Sequence, residues 1–328
     1  MMLKLGISIS MLSKIADLLK DRRSPIWALH QTRKLSSERI TAAEKSFGKN
    51  LLFSLTIDVE NDFGIPENPS FTTLERGVSN LMTFFNRQNI DATFFVMKTV
   101  CDEIPNQVKK MGSHHEVGVH GYAHECWGKQ KWWLRQRPLK IEQKRRYLAE
   151  SVDVVEKTVS RTPKSFRAPY LVIDMESLRL LDELGFLVDS SAPSYYGISP
   201  KPYYPSRLSL LEVPVSADPR PWPELVPIPH FRFDYLNMKL LAMRGADWCA
   251  NFVRDIVSYQ TERGIKPHVV MLTHQWEFLG VKNVSSKSFE YARGENIDIL
   301  EEFITKIREM FKTRFVTMQE LAKQVAPA

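Results

Sequence analysis

From residue 51 onward, apolar runs of four to seven residues alternate with stretches in which apolar side chains recur every three or four positions. The apolar runs lie at 51–57, 92–97, 116–120, 164–167, 186–189, 210–215 and 268–273, and helical spacing fills 72–88, 104–111, 141–159, 174–184, 246–263 and 295–311. Strand followed by helix, repeated along the chain, predicts a parallel sheet covered by helices, here closed into a barrel. The stretch from Val215 to Arg244 carries Pro219, Pro221, Pro223, Pro227 and Pro229 and breaks the alternation, so it is expected to be an ordered, functional loop. The first fifty residues read differently. Leu5, Ile9, Leu12, Ala16 and Leu19 share one helical face, Ser10, Lys14, Asp17 and Asp21 lie opposite, and Pro25 ends the pattern. The expected organisation is an N-terminal amphipathic helix with a polar connector over 1–50 and a barrel over 51–328.

A chain of 328 residues with 43% hydrophobic content can bury a full core, and an α/β barrel of this length can be one domain. No uninterrupted apolar stretch is long enough to span a bilayer, and Leu5 to Leu12 lacks a small-residue cleavage site. Three scattered cysteines, Cys101, Cys126 and Cys249, make no disulfide framework and suit a reducing compartment or simple indifference to redox. A cytoplasmic protein is expected. The formal charge of +7 admits anionic partners, but there is no zinc-finger spacing, RNA-binding aromatic signature or long basic tract, so nucleic acid is not an expected partner. Residues 127–146 join three tryptophans to eight basic residues. That mixture suits peripheral contact with the inner membrane face or an anionic substrate, and equally a loop whose tryptophans pack on the barrel rim.

The candidate chemistry sits at strand ends. Asp58 and Glu60 close the first apolar run, and a period of two puts their carboxylates on one face, where a metal ligand and a proton acceptor can stand side by side. His120 closes the run Glu116-Val117-Gly118-Val119, and a helical turn through Gly121-Tyr122-Ala123 would bring His124 to the same cation. His274 ends the last run. Amide hydrolysis needs an activated water, a base that is not itself a ligand, and an acid across the leaving nitrogen, and Asp58 and His274 can fill the last two roles. On a parallel sheet these ends converge at the carboxyl edge.

The order Thr56-Ile57-Asp58-Val59-Glu60, His120-x-x-x-His124, Phe166-Arg167-Ala168-Pro169-Tyr170, Asp189-Ser190-Ser191 and Leu272-Thr273-His274 resembles the polysaccharide deacetylases of the NodB-homology type, carbohydrate esterase family 4. The resemblance covers roughly residues 50–320 and implies a distorted (β/α) barrel of about seven strands. It further implies a divalent metal, zinc before cobalt, nickel or manganese, held by one carboxylate and two histidines. Carried over, His120 and His124 are ligands, Asp58 is the base, His274 the acid, Arg167 the group that orients Asp58, and Asp189 the partner of His274. The Tyr170 N–H would help stabilise the oxyanion, with Pro169 and Trp276 lining the substrate. Many members place a second aspartate directly after the first, where this chain has Val59. Glu60 then becomes the third ligand, as in an Asp-x-Glu branch, with Asp62 as the other candidate.

The resemblance implies a hydrolase that removes an N-acyl group, acetyl first, from an amino sugar of a cell-envelope or exported glycan or its precursor. The stretch from His114 to His120 is also similar to deformylases of amino sugars carried on polyprenyl phosphate, which would make the substrate lipid-linked. Some relatives open cyclic ureides. A glycan-binding protein with a dead site is the reading from another class.

Overall fold

The computed structural model describes residues 49–64, 70–129, 134, 136–192, 201–217, 235–279 and 289–327. The N-terminal helix, Trp132, Trp133 and the proline-rich stretch with His230 lie outside these residues.

The predicted strands form: β1 Asn50–Val59, β2 Ala92–Val96, β3 Glu116–Val119, β4 Ser165–Phe166, β5 Val188–Asp189, β6 Leu211–Glu212 and β7 His268–His274. An eighth strand, β8 Lys312–Phe315, was not legible, because Lys-Thr-Arg-Phe offers one buried apolar residue in four. All pairs are parallel, in the order β6-β5-β4-β3-β2-β1-β7, with β8 beside the first half of β1. Past β6 the chain runs on to the far edge. Ser216 N–H donates to Val270 O of β7, Leu236 N–H to Ser216 O, and Leu272 N–H to Leu236 O. Irregular backbone thus joins the two ends of the sheet into a distorted barrel.

The helices between strands are α1 Leu74–Gln88, α2 Lys98–Glu103, α3 Pro105–His114, α4 Ile141–Val159, α5 Met175–Glu183, α6 Met238–Arg244, α7 Ala246–Glu262, α8 Asn296–Met310 and α9 Met318–Val325. Of these, α2, α6 and α9 are short and were not anticipated. In particular, α6 occupies the end of the expected Val215–Arg244 loop, started by Asn237, whose side-chain oxygen accepts the Leu240 N–H at 2.7 Å. Among the described residues no helix is long and apolar enough to cross a membrane.

Alternation along β1 decides where the chemistry can sit. Leu51, Phe53, Leu55, Ile57 and Val59 join the outer core against the helices, while Leu52 joins a second cluster with Phe95, Val270 and Leu272 inside the barrel. Ser54, Thr56 and Asp58 share the inner face with Leu52 by the two-residue period. The interior is apolar in its lower half and polar toward the carboxyl edge.

Candidate active site

Asp58, next to last in β1, is in register with His274, the last residue of β7, and Glu60 follows directly. His120 continues β3, its N–H donating to Val96 O at 2.9 Å, and Arg167 continues β4, its N–H donating to Val119 O at 3.0 Å. Four strand ends therefore bring their polar residues to one rim.

Arg167 is fully buried, and each of its three side-chain nitrogens donates a hydrogen bond. Nη1 donates to Asp58 Oδ1 at 2.9 Å and to Thr56 Oγ1 at 2.7 Å, Nε to Ser190 O and Nη2 to Ser190 Oγ, each at 2.9 Å. Its guanidinium lies 4.4 Å from the centroid of the Phe95 ring. A charge held by so many partners cannot swing away, so the Asp58 carboxylate is aimed as well as neutralised.

The ligating atoms of Glu60, His120 and His124 lie within 4.8 Å of one another, and all three residues are buried. His120 Nδ1 lies 2.8 Å from Arg167 O; a carbonyl only accepts, so Nδ1 carries the hydrogen and Nε2 turns its lone pair inward. There it faces Glu60 Oε2 at 3.4 Å and Asp58 Oδ2 at 3.9 Å. His124 arrives by a different route from the predicted helical turn. Gly121 (φ +79°) and His124 (φ +65°) bend the chain, the Glu125 carboxylate accepts the N–H groups of Tyr122 and Ala123 at 2.7 and 2.6 Å, and His124 Nε2 stands 2.6 Å from Glu60 Oε2. Gly64 (φ +61°) completes the cradle, since a Cβ there would sit 2.8 Å from His124 Cε1 and 2.9 Å from Glu60 Oε1.

This group fits a divalent cation. Glu60 Oε2 is buried and has no hydrogen-bond donor, although two imidazole nitrogens point at it. An ionised oxygen left so would be costly, and two nitrogens and one carboxylate are the donors that borderline metals such as zinc take.

Asp62, the other carboxylate considered, is otherwise engaged. β1 has ended, Phe63 adopts φ +64°, and the Asp62 side chain accepts from Ser70 Oγ, the Thr72 N–H and hydroxyl, and the Thr73 N–H and hydroxyl ahead of α1. Three further expectations change. Asp189, expected to pair with His274, is instead held by the Ser191 hydroxyl. Val188 belongs to the interior cluster, so Asp189 takes the opposite face of β5, in register with Phe166. The carboxylate against His274 is Glu277: Oε1 lies 3.4 Å from Nδ1, and Oε2 accepts the His274 N–H at 2.7 Å. Burial alone would depress His274, but Glu277, with Glu60 and Asp58, raises it to about 9. Trp276, expected to line the substrate, is 3% exposed and its indole N–H donates to Glu60 Oε1 at 3.1 Å. Pro169 is likewise buried, opening a turn in which Tyr170 (φ +60°) brings its ring edge-on to His124, 4.4 Å between centroids.

Glu277 and Gln275 were missed in the sequence. The signal was present, since a carboxylate three residues after a strand-terminal histidine can reach back to its N–H in a capping box. Of the remaining histidines considered, His114 and His115 lie at the opposite end of the barrel.

Residues 62–188 match the family model of polysaccharide deacetylase, a span that includes His120, His124, Arg167, Pro169 and Tyr170. Over this span the chain is similar to polysaccharide deacetylases. Its relatives include the peptidoglycan deacetylase-like protein FGM2 of Gibberella zeae, 29% identical over 119 residues, or 35% of this chain and 32% of that protein. Another is a peptidoglycan deacetylase of Helicobacter pylori, 26% identical over 118 residues, 36% of this chain and 37% of that protein. The aligned span is about a third of the length of these relatives. The barrel is also shared with solved structures. A putative polysaccharide deacetylase from Mycobacterium smegmatis superposes with TM-score 0.60 at 22% identity, over 85% of this chain and 91% of that one. PuuE allantoinase does so with TM-score 0.59 at 15% identity, over 88% and 93%. These two likenesses show the fold alone, and the match to the family model falls on the strand ends that carry the histidine pair and the arginine.

Proposed function

We propose that this chain is a metal-dependent hydrolase that removes an N-acyl group, acetyl in the first instance, from an amino sugar of a cell-envelope glycan or its precursor. The observation that carries the reading is the buried, donor-less Glu60 Oε2 between two imidazoles, with an arginine-held aspartate on one side and a carboxylate-held histidine on the other. The names of the peptidoglycan deacetylase relatives supply the substrate class.

A divalent cation held by Glu60, His120 and His124, zinc by its donor set, would supply the positive charge that makes water acidic near neutrality and polarises the acyl carbonyl. Asp58 takes a proton from the water that attacks the acyl carbon, and its bond to Arg167 fixes the direction in which the carboxylate faces. His274 gives a proton to the departing nitrogen as the C–N bond breaks, leaving a carboxylic acid and a free amine. The N–H of Tyr170, in its left-handed turn beside His124, is assigned to the oxyanion.

The test is amine release from N-acetylated glycans, with a polyprenyl-phosphate formamido sugar and a cyclic ureide in the same panel, before and after chelation and zinc return. Release from an acetylated glycan that chelator abolishes and zinc restores supports the reading. Release from the lipid-linked sugar or the ureide alone moves the substrate class, and silence across the panel with one metal bound per chain points to a binding protein.

A further inference from the structure

We infer that Trp276 is a positioning residue that leaves Glu60 a single free carboxylate oxygen, and so sets the strength and geometry of cation binding. The inference rests on the reading of Glu60, His120 and His124 as the cation site.

Glu60 lies past the last residue of β1, where no sheet partner fixes it. The turn after His274 does so instead. Gln275 brackets the Glu60 peptide group, its Nε2 donating to Glu60 O at 2.6 Å and its Oε1 accepting the Glu60 N–H at 3.2 Å. The next residue, Trp276, donates its indole N–H to Oε1. Main chain and one carboxylate oxygen are thus held by consecutive side chains, and Oε2 alone faces the two imidazoles.

The indole cannot easily turn away. It stacks on His274 (centroids 4.9 Å, interplanar 20°) and is packed by Phe63 at 5.1 Å and Phe289 at 5.5 Å. The turn is backed by α1 at Gly77, where a Cβ would lie 2.5 Å from Gln275 O. A glycine inside a helix costs about 1 kcal/mol relative to alanine. Here it lets the helix backbone meet the turn. With Oε1 occupied, Glu60 offers one oxygen and the site three donors. Hydrogen bonds to ligating groups of this kind change metal affinity by about 10–100-fold.

The experiment measures Zn²⁺ affinity of the full-length chain by chelator competition, and the visible absorption of its Co²⁺ form, for the parent, Trp276→Phe and Glu60→Gln. Phenylalanine keeps an aromatic ring and removes the N–H. The expected result is a ~10–100-fold weaker affinity in Trp276→Phe, with a weaker Co²⁺ absorption as the released oxygen raises the coordination number. Unchanged affinity and spectrum in a folded Trp276→Phe, with binding lost in Glu60→Gln, would overturn the role of Trp276 and leave the site standing. Unchanged affinity in Glu60→Gln would overturn the site itself. Should Trp276→Phe fail to fold, the ¹⁵N-labelled parent decides: one solvent-protected indole N–H signal displaced by Co²⁺ upholds the contact, and no displaced indole signal refutes it.

Discussion

The two rims of the barrel each bury a glutamate, and they treat it in opposite ways. At the amino rim Glu116 accepts from Thr93 Oγ1 at 3.1 Å, Ser165 Oγ, the Gln319 N–H at 2.9 Å and Gln319 Nε2 at 3.1 Å, so both oxygens are satisfied and the residue joins β2, β4 and α9. At the carboxyl rim Glu60 has one oxygen bonded to Trp276 and the other bonded to no donor. A buried carboxylate with a full set of donors is architecture, and one left short of them beside two imidazoles is a site. A cavity of about 390 Å³, lined in part by His114, Arg161, Gln319 and Lys323, opens at the amino rim, beside the satisfied glutamate.

The contrast can be broken most severely at the carboxyl rim. Asp58→Asn keeps the shape of the side chain but not its basicity, and turnover is expected to fall about 10²–10⁴-fold with the metal retained; steady-state kinetics alongside metal analysis check this, and full turnover in a metallated, folded variant would remove Asp58 from its role. Glu60→Gln is expected to lose stoichiometric metal, which metal analysis of the folded variant checks. Glu116→Gln reverses that pattern: metal content stays at the parental level while urea denaturation shows a loss of about 2 kcal/mol, the scale of hydrogen bonds to a buried charge. If Glu60→Gln and Glu116→Gln behaved alike in both assays, the distinction between the rims would be wrong.

The smallest effect is at His115, also at the amino rim. Both of its ring nitrogens are buried without partners, the ring packs edge-on against Phe85, and burial, then the neighbouring His114, pulls its pKa from 6.5 down to about 4. Between those values the unfolded chain binds the extra proton, so the contribution is intact above pH 6.5 and is lost as the pH falls toward 4. Denaturation at pH 7.5 and 5 should show this slope in the parent and a flatter one in His115→Leu; equal slopes would refute it.

Much of this was legible in the chain because the interior strands are short apolar runs with polar residues at their ends. The pair Asp58 and Glu60, the two histidines and His274 could be placed on one edge from alternation and order alone. The choice between Glu60 and Asp62 could not, because spacing assumes that the strand goes on, whereas β1 ends at Val59 and the threonines ahead of α1 hold Asp62. Trp276 misled for a related reason. An aromatic residue beside a catalytic histidine suggests a substrate wall, and only the three-dimensional packing shows its indole N–H already committed to Glu60. Asp189 failed on parity, since one residue of phase along β5 decides which face a side chain takes.

One pairing bears on how the chain is made. β1 lies between β2, which follows soon after it, and β7, and Gln275 in the turn after β7 reaches Glu60 across 215 residues. During synthesis, Asp58, Glu60 and both histidines leave the ribosome long before the turn that secures them. On the proposed reading of the site, the unfinished chain carries the ligands yet cannot fix Glu60, and the centre is complete only when roughly the last fifth of the polypeptide arrives. A ribosome-stalled chain ending before β7 would carry every ligand and still bind the ion poorly.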